Sequence, residues 1–220
     1  RQVFDIRFEQ APRAVLEEGT AMPSAHWFPG ATLNFAEHLL RRRDEHPAIV
    51  AIGEDGSREQ LTYAQLAAHV AGLQRSLQNA GVGVGDRVAA FMPNTWQTLV
   101  GMLATASLGA TWSSCSPDFG TQGVIDRFGQ IEPKVLIACA GYRYAGKNLD
   151  LTGKLNEILT HLPTLQQLVV VPYANTSCTA DDFQTEAKVE CWEDFYQAEG
   201  EPSFTPVPFE QPLYILYSSG

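Results

Sequence analysis

Positive charge is scarce in this sequence, because 15 Lys and Arg residues stand against 25 Asp and Glu residues and the formal net charge is −10. A protein that binds nucleic acid along its surface needs a basic face that displaces counterions from the phosphates. The acidic balance therefore argues against nucleic acid as a partner. It leaves room for a small phosphate ligand, which a local cluster of cations can hold.

Apolar stretches long enough to cross a membrane are also missing. The longest one, Leu99 to Trp112, is interrupted by Thr, Ser and Gly and falls short of the roughly 20 residues that a membrane-spanning helix needs. No secretory signal peptide is present, so we expect a cytoplasmic protein without a membrane span. Because the chain begins with Arg1 rather than Met, we also expect that its natural N-terminus is missing.

Cysteines are few and far apart: Cys115, Cys139, Cys178 and Cys191. No C-x-x-C pair occurs among them, and the histidines have no partner at metal-ligand spacing. This pattern is typical of reduced thiols in a cytosolic protein rather than of a disulfide framework or a metal site. The sequence therefore predicts free thiols and no metal centre.

The stretch Gly85 to Pro117 predicts a β-α-β unit. Val88 to Met92 is an apolar run with the length of a buried strand. We expect Asn94 to cap the helix that follows and Gly109 to end it in a left-handed conformation. A second strand, Ala110 to Ser114, comes next. Because a crossover of this length joins parallel strands, the unit implies a parallel sheet.

The chain then repeats this alternation. Further strands are predicted at Val135 to Ala138 and Leu168 to Val171, with helices at Gln122 to Gln130 and Thr152 to His161 and a polar loop at Tyr142 to Asp150. Four parallel strands with intervening helices indicate the α/β class, with a doubly wound, mostly parallel sheet and flanking helices. Ligands of such sheets bind beyond the carboxyl ends of the strands.

The chain divides into four predicted segments. Residues 1–47 form a lead-in with a short helix at Ala14 to Glu18 and a second helix capped by Asn34, and residues 48–172 form the parallel lobe, which opens with a β-hairpin. Residues 173–211 are a connector with a short helix around Trp192. Residues 212–220 are the first strand of a truncated second lobe and the start of its phosphate loop.

That final segment ends in Ser218, Ser219 and Gly220 after a strand-like apolar run. Small residues let successive backbone N–H groups approach an anion closely, and hydroxyl groups add donors. The sequence therefore predicts the beginning of a phosphate loop here, although this triplet alone matches many sequences by chance.

The tail resembles the opening of the Tyr-Ser-Ser-Gly-Thr-Thr-Gly phosphate loop of adenylate-forming acyl-CoA synthetases, and the β-α-β unit is similar to theirs as well. The motif His26-Trp27-Phe28-Pro29-Gly30 with Leu33-Asn34 is similar to the branch that activates acetate and acetoacetate. Asn34 to Leu40 and Trp112 to Gly120 look most like its acetoacetate-activating members. The resemblance covers nearly the whole chain from His26 onward.

The resemblance implies an ATP-dependent ligase that converts acetoacetate into an acyl-AMP and transfers it to CoA, with ATP, CoA and Mg²⁺ as cofactors. It also implies that the 220 residues are an N-terminal fragment, inactive alone and without a catalytic residue of its own. The adenine and magnesium motifs and the catalytic lysine would lie in the missing C-terminal part of the same enzyme. The expected partners are that part and the small-molecule substrates.

In acetyl-CoA synthetases an Arg-Ala-Gly-Arg loop holds a CoA phosphate, and the matching stretch here is Tyr144-Ala145-Gly146-Lys147. The resemblance therefore implies Lys147, with its neighbour Arg143, as the CoA-binding residues. A pair of ordinary solvated loop charges is the alternative. Two other functions also remain open: a ligase for acetate, propionate or another short acid, and a non-catalytic α/β binding module.

Overall fold

The computed structural model describes residues 5–17, 24–174, 176, 179–197 and 200–218. Its strands are, in chain order, β1 (Leu16–Glu17), β2 (His26–Trp27), β3 (Thr32–Leu33), β4 (Pro47–Ile52), β5 (Arg58–Thr62), β6 (Arg87–Phe91), β7 (Thr111–Cys115), β8 (Val135–Cys139), β9 (Gly141–Tyr144), β10 (Lys147–Asp150), β11 (Gln167–Val171), β12 (Lys188–Cys191) and β13 (Val207–Pro208). Its helices are α1 (Phe35–Leu39), α2 (Tyr63–Asn79), α3 (Trp96–Ser107), α4 (Thr121–Ile131), α5 (Thr152–Leu159) and α6 (Trp192–Phe195), with a 3₁₀ turn at Ala180–Asp182.

The central sheet has five strands in the order β12-β11-β8-β6-β7, and each neighbouring pair is parallel. From β6 the chain moves outward to β7, crosses back to β8 and continues in the other direction to β11 and β12. With right-handed crossovers, this reversal places helices on both faces of the sheet. In agreement, α2 packs on α3 while α4 packs on α5. The predicted doubly wound parallel sheet is therefore confirmed.

The fifth strand, β12, is absent from the sequence prediction, which has four. It lies in the segment predicted as a connector, and its residues Lys-Val-Glu-Cys are mostly half-buried. As the edge strand, β12 pairs only with β11, so it needs no apolar run like that of a strand buried on both faces. The segment boundaries at 47, 172 and 211 stay a prediction.

The β-α-β unit forms as predicted, with one correction at the start of its helix. The N-cap of α3 is Thr95 rather than Asn94, and no side chain caps it. The Thr95 N–H bonds instead to the Pro93 carbonyl at 2.8 Å, and this tight turn delays the first helical residue. Gly109 follows the helix with φ of +71°, which is the left-handed conformation expected of it.

Three other local predictions are wrong. The expected helix from Ala14 is the short strand β1, paired with β2, because backbone pairing satisfies groups that an isolated one-turn helix leaves open; Glu18 lies outside the described residues. The polar loop from Tyr142 is the hairpin β9-β10. The tail is an extended segment with one parallel bridge, Trp112 to Tyr214, rather than a buried strand.

Asn34 joins three parts of the chain through one buried amide. It is 2% exposed, and its Oδ1 caps α1 by accepting from the Ala36 N–H at 2.9 Å. Its Nδ2 donates to the carbonyls of Ala106, Ser107 and Thr205 at 3.0, 3.1 and 2.9 Å. The lead-in, the end of α3 and the connector therefore meet at this side chain.

We predict that Asn34→Asp lowers the free energy of unfolding by about 2–4 kcal/mol, because a carboxylate caps as well as an amide but cannot donate to buried carbonyls and repels them. Urea denaturation of the two proteins measures this. Thr62→Asp is the matched control, because the Thr62 side chain caps α2 by accepting from the Gln65 N–H and donates to no buried carbonyl. If Asn34→Asp leaves the free energy of unfolding unchanged, the contribution of Asn34 is limited to capping α1.

Helix α3 lies against the sheet closely enough to require glycine at one position. A Cβ on Gly101 would stand 2.8 Å from Cη2 of Trp112 and 3.3 Å from Cδ1 of Ile137, both on buried strands. By contrast, a Cβ on Gly129 of α4 would meet nothing within 4 Å. The same substitution at these two helical glycines therefore has opposite expected effects.

We predict that Gly101→Ala destabilises the chain by about 1–2 kcal/mol, because the cost of overpacking exceeds the gain in helix propensity. Gly129→Ala should stabilise it by about 0.5–1 kcal/mol. Denaturant midpoints of the two variants provide the comparison. Equal stabilisation by both would show that α3 does not pack tightly on Trp112.

Candidate functional site

The carboxyl ends of the parallel strands bring four segments to one edge of the sheet. They are residues 92–95 after β6, 116–120 after β7, 140–151 after β8, and 172–174 with 176 after β11. The strand order reverses between β6 and β8, and ligands of doubly wound sheets bind at this kind of switch point. This carboxyl edge is therefore the candidate site.

A cavity of about 380 Å³ opens at this edge, between the β4-β5 turn, the start of α3, the β9-β10 hairpin and the segment after β11. Its walls carry Glu54, Asp55, Trp96, Arg143 and Tyr173, among others. A second cavity, of about 290 Å³, is mostly apolar and includes Gly109 and Ala110, just before β7. Because the second cavity lies at the amino ends of the strands, the mixed-charge cavity is the better candidate for a polar ligand.

Arg143 faces this mixed-charge cavity from β9. Its cross-strand partner is Asn148, which lines the same cavity. Its Nη1 lies 3.3 Å from Oδ2 of Asp55. Its Nε is shielded from solvent and has no hydrogen-bond partner among the residues that the structure describes. The guanidinium group is therefore only partly satisfied.

Lys147 lies on the opposite face of the same hairpin. It pairs with Tyr144 across the strands, and directly opposed residues of a hairpin share a face while sequence neighbours alternate. Its side chain is exposed, and within the described part of the chain it makes no ion pair. The structure thus places the two predicted CoA-binding residues on one hairpin but on different faces.

The Lys147 face of the hairpin turns toward the loop after β7. Tyr142 shares that face and lies 6.4 Å from Tyr144 between ring centroids. Burial raises the pKa of the Tyr142 hydroxyl, and the nearby Asp118 carboxylate raises it further. The proximity of Asp118 places this face of the hairpin in the same region as residues 116–120.

The predicted phosphate-loop residues follow a segment that runs parallel to β7. The Trp112 N–H bonds to the Leu213 carbonyl at 3.0 Å and the Ile215 N–H to the Trp112 carbonyl at 2.9 Å. This register carries the chain toward the carboxyl edge, where Ser218 is exposed. Ser219 and Gly220 lie outside the described residues.

Arg127 is a residue at this edge that the sequence analysis missed. Its guanidinium group lies 4.6 Å from the ring centroid of Phe119 and 5.4 Å from that of Tyr217. Its Nη1 donates to the Gly123 carbonyl at 2.6 Å, and the Tyr217 hydroxyl donates to the Arg127 carbonyl at 2.6 Å. Arg127 therefore braces the tail one residue before Ser218. Nothing in the spacing of α4 distinguishes it from a solvated helix charge.

Lys154 is the second missed residue. Its Nζ donates to the carbonyls of Pro117 and Phe119 at 3.1 and 3.2 Å and lies 5.8 Å from the Phe91 ring centroid. The ammonium group thus fixes the loop after β7 against the end of β6. Its position in the first turn of α5, just after the β8 crossover, was a usable sequence clue.

Cys115 and Cys139 are buried free thiols, as predicted, and Cys178 lies outside the described residues. Burial raises the pKa of the Cys139 thiol to about 12 and also raises that of Cys115. Both thiols therefore stay protonated near neutral pH, and neither is prepared to act as a nucleophile. Their role at the strand ends is packing.

No group of three or more His, Cys, Asp or Glu side chains is arranged among the described residues to hold a metal ion. No helix in the same ranges has both the length and the apolar character to cross a membrane.

A family model described as AMP-binding enzyme matches residues 35–220. The chain therefore belongs to the AMP-binding enzyme family. An acetoacetyl-coenzyme A synthetase of Rhizobium meliloti is 48% identical over 208 residues, which cover 93% of this chain and 31% of that protein. An acetoacetyl-CoA synthetase of Caenorhabditis elegans is 36% identical over 226 residues, covering 100% of this chain and 32% of that protein.

The fold agrees with these relatives. The solved structure of acetoacetyl-CoA synthetase from Streptomyces lividans superimposes with a TM-score of 0.91 at 43% identity, and the match covers 100% of this chain and 33% of that one. The chain thus spans about a third of the length of the relatives that it matches.

Proposed function

We propose that the protein containing this chain is an ATP-dependent ligase that joins acetoacetate to CoA. The observation that carries the proposal is the match to a solved acetoacetyl-CoA synthetase along the entire chain, with a TM-score of 0.91 at 43% identity. The 48% identity to a curated relative of the same name supports it. At the carboxyl edge, the sheet supplies the cations and exposed backbone that polyanionic substrates need.

The proposed reaction has two steps. The carboxylate oxygen of acetoacetate attacks the α-phosphorus of ATP, the bond to the bridging oxygen breaks, and pyrophosphate leaves from the acyl-AMP. The thiol of CoA then attacks the acyl carbon and gives up its proton, and AMP leaves. Mg²⁺ would neutralise phosphate charge in the first step, but the described residues contain no group of three or more His, Cys, Asp or Glu side chains that could hold it. We therefore assign no residue of this chain to the ion.

This chain's own contribution to that reaction is positioning. Arg127 and Lys154 fix the tail and the loop after β7, so that Ser218 leaves the sheet at the carboxyl edge. Lys147 presents an exposed ammonium group at the tip of a hairpin beside that loop. We assign Ser218, Ser219 and Gly220 to the start of the ATP phosphate loop, Lys147 to a CoA phosphate, and Arg143 to the same hairpin site.

The choice of acid is the first prediction from this proposal. Full-length protein should show a higher kcat/KM for acetoacetate than for acetate or propionate, in an assay of pyrophosphate release with CoA present. A higher value for acetate or propionate would place the protein among other short-chain ligases. Absence of ATP-dependent thioester formation with all of these acids would instead favour a non-catalytic binding module.

The second prediction concerns Lys147. An exposed ammonium–phosphate contact is worth about 1 kcal/mol, or roughly fivefold in affinity. Lys147→Ala in the full-length protein should therefore raise the KM for CoA several-fold, more at low than at high ionic strength, while acetoacetate-dependent ATP–pyrophosphate exchange stays unchanged. Lys188→Ala is the control, because Lys188 is likewise an exposed strand lysine but lies at the amino end of β12, where it pairs with Glu190. Equal KM values for both variants and wild type would remove Lys147 from the CoA site.

A further inference from the structure

The tips of the two hairpins, β4-β5 and β9-β10, touch each other through acidic side chains. Oε1 of Glu54 accepts from the Ala145 N–H at 2.8 Å, and Oδ2 of Asp55 lies 3.3 Å from Nη1 of Arg143. Glu54 and Asp55 are consecutive residues of the β4-β5 turn, and Ala145 is in the β9-β10 turn. We call these two carboxylates the acidic clasp.

The groups that the acidic clasp contacts are hydrogen-bond donors that can bind an anion. A free turn N–H and a guanidinium group are standard ligands of a phosphate oxygen. Ala145 (φ +49°) and Gly146 (φ +74°) both have left-handed backbone, which makes a tight two-residue turn. In such a turn the first N–H points away from the strands, where a ligand can reach it.

Hydrogen bonds within its own turn orient the Asp55 carboxylate, which contacts Arg143. The Ser57 N–H donates to Oδ1 of Asp55 at 3.0 Å. Hydrogen bonds from Ser57, and to a lesser extent the charge of Arg143, hold the pKa of the Asp55 carboxyl below its usual value. Asp55 is therefore an anion throughout the neutral range, as a competitor of phosphate must be.

The ion pair between Asp55 and Arg143 is nevertheless loose. The 3.3 Å separation of Asp55 and Arg143 exceeds the 2.7–2.9 Å that is typical of a tight charge-assisted hydrogen bond. Nε of Arg143 has no hydrogen-bond partner in the described part of the chain. All four groups are at the surface or half-buried, so exchanging a carboxylate for another anion costs little desolvation.

We propose that the acidic clasp competes with the phosphate of CoA for the tip of the β9-β10 hairpin. The proposal rests on the proposed function, because it assumes that Lys147 and this turn bind CoA. The two carboxylates occupy the Ala145 N–H and part of the Arg143 guanidinium group. Their negative charge also weakens the positive potential of Lys147, two residues after Ala145. CoA binding then requires the β4-β5 tip to release the hairpin.

The test is Glu54→Gln in the full-length protein, because the glutamine oxygen still accepts from the Ala145 N–H while the negative charge is gone. The KM for CoA should fall by about two- to fivefold at low ionic strength and by less at high ionic strength. The KM for dephospho-CoA, which lacks the phosphate monoester, should change less. ATP–pyrophosphate exchange should be unaffected. Asp55→Asn, which frees Arg143, should act in the same direction.

Glu59→Gln is the matched control. Glu59 lies on the same hairpin, lines the same cavity and pairs with Ala51, so this variant removes one charge without altering the Glu54–Ala145 hydrogen bond. Competition at the hairpin tip predicts a larger fall in KM for Glu54→Gln than for Glu59→Gln. Equal changes in KM would show that the effect comes from the general charge of the surface, and would contradict competition by the acidic clasp.

Lys147→Ala separates failure of this inference from failure of the proposed function. If Lys147→Ala raises the KM for CoA while Glu54→Gln leaves it unchanged or raises it, the hairpin binds CoA and the acidic clasp does not compete. If neither variant changes the KM, the hairpin is not the CoA site and both assignments fall. If Lys147→Ala raises the KM for CoA and Glu54→Gln lowers it, the fall caused by Glu54→Gln should be smaller in the Lys147→Ala background. The reason is that the two charges act on the same phosphate.

Discussion

The buried amide of Asn34 is the interaction on which the arrangement of the rest depends. A carboxamide carries both an acceptor and two N–H donors, and the site uses both, with a helix cap on one side and three carbonyls on the other. The neighbouring Gln74 extends the network, since its Nε2 donates to Oγ of Ser107 at 2.7 Å and its Oε1 accepts from the Ser203 N–H at 3.0 Å. A buried polar network is stabilising only when every member is satisfied, so this one admits a single placement of the connector.

That placement determines where the tail joins the sheet. Downstream of the network, hydroxyl groups of β7 continue the alignment: Oγ1 of Thr111 donates to the Pro212 carbonyl at 3.2 Å and Oγ of Ser113 to the Ile215 carbonyl at 2.9 Å. The described part of the tail makes one bridge with β7, so these side-chain bonds take the place of further backbone pairing. Ser218 therefore reaches the carboxyl edge because polar groups far from that edge set the register.

The central unit was predictable because local chemistry and tertiary structure agree there. The apolar runs and the Gly109 stop each indicate one local structure, and the structure has both. The β9-β10 hairpin was not predictable, since its turn is Ala145-Gly146 rather than Asn-Gly and carries a strained alanine. Arg127 was missed for a different reason: it contacts the ring of Tyr217, far along the chain, and no local pattern encodes this contact. For Lys154 the local clue is its place in the first turn of α5, while its carbonyl partners lie on a distant loop.

Most cations near the carboxyl edge take part in the contacts that hold its loops in place. Within the described residues, each cation near it except Lys147 already has a protein partner: Arg127 the Gly123 carbonyl, Lys154 the carbonyls of the β7 loop, and Arg143 the carboxylate of Asp55. With a net charge of −10, the long-range field of the chain repels anions, but at physiological salt that field is screened beyond about 8 Å. Under the proposed function, binding of a phosphate at this edge would therefore depend on contact geometry more than on long-range steering, because salt screens groups in direct contact less than it screens distant charges.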